Sequence, residues 1–217
     1  MSKTVHPYSF RLVVLRNWKS RWFNMEKYRK LLKTDVLLKE FLEKKMKGMY
    51  VGGVEIERGP SLLHVIIKTS RPGLVIGKKG EGSDNLKKEI IKKIQKIKGE
   101  IPREIKLTIE EIHSPESNAK ILALMAVESL EKRMPFKRVM RQILEKASAN
   151  KDVKGVKIAM AGRLNGGDMS RREWLKKGNI PLQTLRADID FARERASLPY
   201  GDLGIKVWVY RGEKFNK

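Results

Sequence analysis

Apolar side chains recur along this chain with two different periods, and the switches between them predict where helices give way to strands. From Asp35, read as a helix N-cap, the segment DVLLKEFLEKKMKG puts Leu38, Phe41, Leu42 and Met46 on one stripe and stops at Gly48. The runs 51–58 (VGGVEIER) and 61–69 (SLLHVIIKT) are rich in β-branched residues and are separated by Gly59-Pro60, which reads as a hairpin. Arg71-Pro72-Gly73 breaks the second strand, and after a short apolar turn Gly77-Lys78-Lys79-Gly80 leads into a long helix. There Leu86, Ile90, Ile94 and Ile97 fall at spacings of four, four and three, until Gly99 and Pro102 end the element. Residues 104–112 (EIKLTIEEI) then alternate as a strand does.

Past His113 the plan changes. Ser114 reads as an N-cap with Pro115 at the first helical position. A helix to about Arg133 and, after Pro135, a second from Phe136 to about Asn150 precede four strand-like stretches at 153–161, 170–177, 183–191 and 205–211. In LRADIDF the alternation turns Leu185, Ala187, Ile189 and Phe191 inward and Arg186, Asp188 and Asp190 outward. Gly162–Gly167 and Pro199–Gly204 hold the intervening turn residues. No period of 20 to 50 residues repeats. The expected architecture is α+β, with one domain over 1–112 and a second over 113–217 built from two helices on one face of a mostly antiparallel four-stranded sheet.

Charge changes the picture more than length does. Lys and Arg number 48 against 25 Asp and Glu, so pairing every carboxylate still leaves a net charge of +23 that calls for an external anion. With 41% apolar residues the chain can nevertheless bury a core, unlike a disordered basic tail. The basic residues are spread along the whole length, which favours a polyphosphate contacted from many sides over an anionic membrane surface or an acidic protein partner. The absence of cysteine excludes disulfides, zinc–cysteine sites and a thiol nucleophile, and fits a reducing compartment. The uncharged run Ile121–Val127 is far short of the ~20 residues that span a bilayer, so no membrane association is expected. The first residues show no signal-peptide core, and Pro7 with few hydroxyl residues argues against a transit peptide.

The sharpest local feature is Gly77-Lys78-Lys79-Gly80. Two glycines let a backbone approach a phosphodiester closely, the helix behind offers unpaired N–H groups, and two lysines add charge. KH domains clamp nucleotides by their backbone with such a GxxG loop, and its place between a hairpin and an amphipathic helix is the type II KH order. On its own GxxG is weak, and the bland reading is a glycine turn with two solvated lysines. Nucleotide-binding fingerprints fail on spacing, since Gly77, Gly80 and Gly82 sit at relative positions one, four and six. Gly82 falls in the first turn of the helix, where glycine costs about 1 kcal/mol against alanine and invites fraying.

A second feature is the helix from Phe136. Phe136, Val139, Met140, Ile143, Leu144 and Ala147 fill one arc, leaving Lys137, Arg138 and Arg141 on an exposed strip; the bland alternative is a solvated face with Arg141 partly neutralised by Glu145. Arg163, Arg171, Arg172, Lys176, Lys177, Arg193 and Arg195 suggest a broad phosphate-binding surface. His64, inside an apolar strand, reads as a satisfied core residue, and neither His6 nor His113 has the neighbours of a metal ligand. Asp188 and Asp190 read as partners of Arg186 and other cations rather than as a metal site. Trp18, Trp22, Trp174 and Trp208 could stack on bases, with core packing or a protein contact as equal alternatives. No catalytic group, cofactor or metal is called for, and the chain is not expected to be an enzyme or a homo-oligomer.

VHPYSFRL near the start, RPGLVIGKKG, AGRLNGG, IPLQTLRADIDF and the closing YGDLGIKVWVYRGE, in that order, resemble the family of the third protein of the small ribosomal subunit, in its bacterial and organellar form. The likeness runs from about Val5 to Glu213. It implies an N-terminal type II KH domain, with Gly77, Lys78, Lys79 and Gly80 as the RNA-backbone clamp, and a C-terminal α/β domain. Both would bind small-subunit ribosomal RNA in the head of the subunit, beside the channel through which mRNA enters, in contact with the tenth and fourteenth small-subunit proteins. The family places cations at the positions of Lys137, Arg138 and Arg141 to line that channel and help open structured mRNA. The implied location is the cytoplasmic ribosome, with an organellar ribosome as the variant. The family's frequent basic C-terminal tail is nearly absent by Lys217, and the lysine-rich stretch 95–103 has no place in the family pattern. A different class, a nucleic-acid lyase or nuclease acting outside the ribosome, finds no metal cluster, triad or isolated catalytic lysine to support it. A stand-alone RNA-binding regulator would leave the C-terminal blocks without a use.

Overall fold

In a computed structural model, residues 5–97, 99 and 102–215 are described. The stretch 95–103 therefore lies partly outside the described residues. Along the chain the elements are α1 (Pro7–Phe10), β1 (Ser20–Arg21), α2 (Tyr28–Lys45), β2 (Val51–Arg58), β3 (Leu62–Thr69), α3 (Pro72–Ile76), α4 (Glu81–Lys96) and β4 (Glu104–Glu111). They continue as α5 (Ala119–Glu131), α6 (Phe136–Ala149), β5 (Gly155–Gly162), β6 (Arg171–Gly178), β7 (Ala187–Leu198) and β8 (Gly201–Glu213). The chain divides into two units, 18–113 and 1–17 together with 114–217.

In the first unit the sheet order is β1-β2-β3-β4, with β2 antiparallel to β3 and β4 parallel to β3. The expected hairpin forms, closed by the Gly59 N–H donating to the Leu62 carbonyl at 2.9 Å. Leu38, Leu42 and Met46 of α2 and Leu86, Ile90 and Ile94 of α4 meet Val54, Ile56, Leu63, Val65 and Ile67 of the sheet. His64 is half-buried, with Nδ1 2.9 Å from Glu57 Oε2 and Nε2 2.8 Å from Thr108 Oγ1, a satisfied structural residue.

Two sequence expectations fail in helix starts. Asp35 is not a cap: α2 begins seven residues earlier, and the buried Asp35 carboxylate accepts from Trp22 Nε1 and Arg58 Nε, both at 2.7 Å. Ser114 is not the cap of α5 either. Ser114 and Pro115 open a short 3-10 turn, and the Asn118 side chain accepts from the N–H groups of Lys120 and Ile121.

In the second unit the antiparallel sheet runs β6-β5-β8-β7, with α5 and α6 on one face. Alternate residues of β5 and β8, among them Val156, Ile158, Met160, Ile205 and Val207, pack against Leu122, Ala126, Val139, Met140 and Ile143 of the helices. The strand expected over 183–191 is β7, shifted to 187–198. Leu185 is consequently 46% exposed instead of inward, and Asp188 is buried instead of outward. Asp188 pairs with Arg16 Nη2 at 2.5 Å and Lys214 Nζ at 3.0 Å, whereas Arg186 pairs with Glu213. Asp190 pairs with Arg211 and accepts the Ala119 N–H, at the start of α5.

Residues 5–17, expected with the first domain, pack with the second. The cause is Arg11, fully buried, which donates from Nε to the Ala187 carbonyl at 2.7 Å and from Nη2 to the carbonyls of Leu182 and Thr184 at 3.0 and 2.9 Å.

Candidate nucleic-acid interface

The GxxG loop sits where α3 stops and α4 starts. Gly77 (φ 72°) and Gly80 (φ 84°) bracket it, and between them Lys79 adopts the left-handed region (φ 50°). Lys78 and Lys79 are both exposed. No side chain caps α4, but in its first turn the Glu81 N–H already donates to the Lys78 carbonyl. Glu81 and Asp84 share that turn and oppose an anion there, which leaves the lysines and loop amides as the favourable part. Leu74 (54% exposed) and Ile76, beside the loop, present an apolar margin to it.

Gly82 lies inside α4, which begins one residue earlier at Glu81. A Cβ at this position would stand 2.8 Å from the carbonyl oxygens of both Val75 and Ile76, so glycine is what allows α4 to start this close to α3.

On α6 the expected arc is buried and Lys137, Arg138 and Arg141 are exposed. They line a shallow depression of about 530 Å³ with Pro135, Gln142 and Glu145. Glu145 shares the depression, yet among the described residues no ion pair joins it to Arg141 or ties a carboxylate to Lys137 or Arg138. Arg171 of β6 reaches the start of the same helix, its guanidinium 5.8 Å from the centre of the Phe136 ring.

The remaining sequence-predicted cations do not form one group. Arg163 pins its own glycine turn, donating to the Gly167 and Tyr200 carbonyls. Arg171 and Lys177 point to the helix side of β6, since their partners in β5, Gly162 and Val156, belong to that side. Arg172, Lys176, Arg193 and Arg195 share the opposite side, which sequence reasoning left without its other members, Lys157 and Lys206. Burial, with Arg172 and Lys176 nearby, holds the Lys157 ammonium below the usual lysine range. Nothing local to Lys157 or Lys206 marks them out; only the strand pairing does.

These surfaces are those of a chain built around a KH unit and a helix-backed sheet, and comparison with known proteins agrees. The KH domain family profile matches residues 37–117, and that described as ribosomal protein S3, C-terminal domain, matches 127–209. A small ribosomal subunit protein uS3 of Koribacter versatilis (strain Ellin345) is 44% identical over 213 residues, 98% of this chain and 92% of that protein. The chain belongs to the uS3 family. A uS3 of Solibacter usitatus is 42% identical over 98% of this chain, which spans 60% of that protein's length. A uS3 of Paraburkholderia phymatum is 42% identical over 100% of this chain and 80% of its own. The uS3 family consists of ribosomal proteins and not of enzymes, so the candidate surfaces are those of a binding component.

Proposed function

We propose that this chain is built into the head of the small ribosomal subunit in the cytoplasm, where it binds ribosomal RNA and lines the channel through which mRNA enters. The neighbours in this reading are ribosomal RNA, mRNA, and the tenth and fourteenth small-subunit proteins. In it the loop Gly77–Gly80 holds an RNA backbone, and the sheet cations hold phosphates. Lys137, Arg138 and Arg141 take the phosphates of mRNA strands as they separate. The observation that carries the last role is that three cations on one helix face lie exposed and, among the described residues, no carboxylate is joined to them. Fixed charges of this kind stabilise separated strands electrostatically without any chemical step.

The test replaces Lys137, Arg138 and Arg141 by Ala. All three side chains point away from the packed arc, so the substitutions open no cavity and should cost stability within ~0.5 kcal/mol each. Mutant small subunits should assemble, translate an unstructured reporter at the parental rate, and slow on a message with a stable hairpin in its coding region. Equal slowing on both messages would assign the strip to assembly or general anchoring and remove the unwinding role.

A further inference from the structure

The face of the second unit's sheet away from α5 and α6 is only partly covered. Ala159, Ala187, Ile189, Trp208 and Tyr210 form a small core there with Ile180, Leu182 and Phe191. Toward β6 the face is open, and Trp174 is 52% exposed. Strand pairing lays Lys176 beside Lys157 and Lys157 beside Trp208; in the next row Trp174 lies beside Ala159, Ala159 beside Lys206, and Lys206 beside Arg193. Arg172, beside Ala161, begins the third row. Alternation along each strand puts all of these side chains on one side.

The Lys157 ammonium lies 4.9 Å from the centre of the Trp174 ring and 5.3 Å from that of Trp208, which holds Trp174 against the sheet. Among the described residues no carboxylate pairs with Arg172, Lys176, Lys206 or Arg193; Asp202, at the far end, is occupied by Arg195. Centres of protein–protein interfaces are poor in lysine, so an indole ringed by unpaired cations is a weak match for a protein. It matches a polymer that alternates flat rings with phosphates. Base–aromatic stacking accepts any base, and the surrounding cations act on the backbone.

We propose that this face takes an unpaired RNA nucleotide, its base stacked on the Trp174 indole and its flanking phosphates held by Arg172, Lys176 and Lys206. The assignment rests on the reading that the chain works bound to ribosomal RNA.

Binding is measured with the full chain carrying Lys78→Asp and Lys79→Asp, so that the loop does not mask the sheet. The probes are a short oligouridine and the same sugar–phosphate backbone without bases. Trp174→Ala should weaken oligouridine binding roughly 5- to 160-fold, the range of one stacked base, and leave the abasic probe unchanged. Arg172→Gln with Lys206→Gln should weaken both probes. Trp174→Phe, which keeps a ring, should restore most of the oligouridine affinity and shows that the strand still folds. Parental affinity for oligouridine in Trp174→Ala would overturn the stacking assignment, as would ultraviolet crosslinking of Trp174 in small subunits to a protein instead of RNA. In either case co-sedimentation of the parental chain with small subunits would leave the ribosomal reading standing; its absence from them would overturn both.

Discussion

At Asp188 a single carboxylate carries opposing demands. Burial alone would raise its pKa, but Arg16 and Lys214 at ion-pair distance, with Arg211 nearby, outweigh it and hold the group below the usual aspartate range. Because the folded pKa lies below the unfolded ~3.9, the stabilisation is fully present above that value and is lost as pH falls through the carboxylate range. Asp188→Asn should cost roughly 2–4 kcal/mol at neutral pH, toward the lower end because Lys214 remains largely in water. The difference in melting temperature from the parent should shrink as pH falls below the unfolded value and the parental carboxylate takes up its proton. A gap that stays constant with pH would mean that packing, not charge, is what Asp188 contributes. Its burial was not legible in the sequence. Simple alternation turns Asp188 outward, but the register of β7 against β8 shifts between Ala187 and Ile189, and the partner Arg16 lies 172 residues away. The strip on α6 was legible because six buried positions on one arc leave Lys137, Arg138 and Arg141 no other place to point.

Elements whose apolar period matches their burial could be read directly, and the others could not. The hairpin β2–β3, α4 and α6 fall within about one residue of expectation because each buries a regular stripe or alternates on a sheet. The first two turns of α2 bury no stripe: Tyr28 and Leu32 are exposed, while the polar Thr34 and Asp35 are inside. Periodicity gives no signal for such a start. Gly82 shows the same limit from the other side. Helix propensity predicts that Gly82→Ala gains about 1 kcal/mol. The two carbonyl oxygens 2.8 Å from the new Cβ are backbone atoms that cannot swing aside, so the substitution should instead destabilise by roughly 1–3 kcal/mol. Urea unfolding of the full chain checks the sign; a higher midpoint for Gly82→Ala would show that α3 yields to α4.

For the whole molecule the surplus of positive charge could be read from composition, but its arrangement could not, because Lys157, Trp174 and Lys206 come together only through the pairing of three strands. Domain order escapes the sequence for a related reason. Residues 5–17 look like a leading extension of the KH unit, yet Arg11 finds its acceptors at Leu182, Thr184 and Ala187, and Arg16 finds Asp188. The unit 18–113 is thus an insertion between two parts of the other. During synthesis this sets a timetable. Residues 18–113 have their packing partners as soon as His113 has left the exit tunnel, whereas the segment made first must wait, with the Arg11 guanidinium in water, until strand β7 has emerged. Nascent chains halted just after residue 113 clears the tunnel should resist brief proteolysis over 18–113 and remain open to cleavage over 5–17. Protection of both at that length would mean that the first residues find another shelter before their own is made.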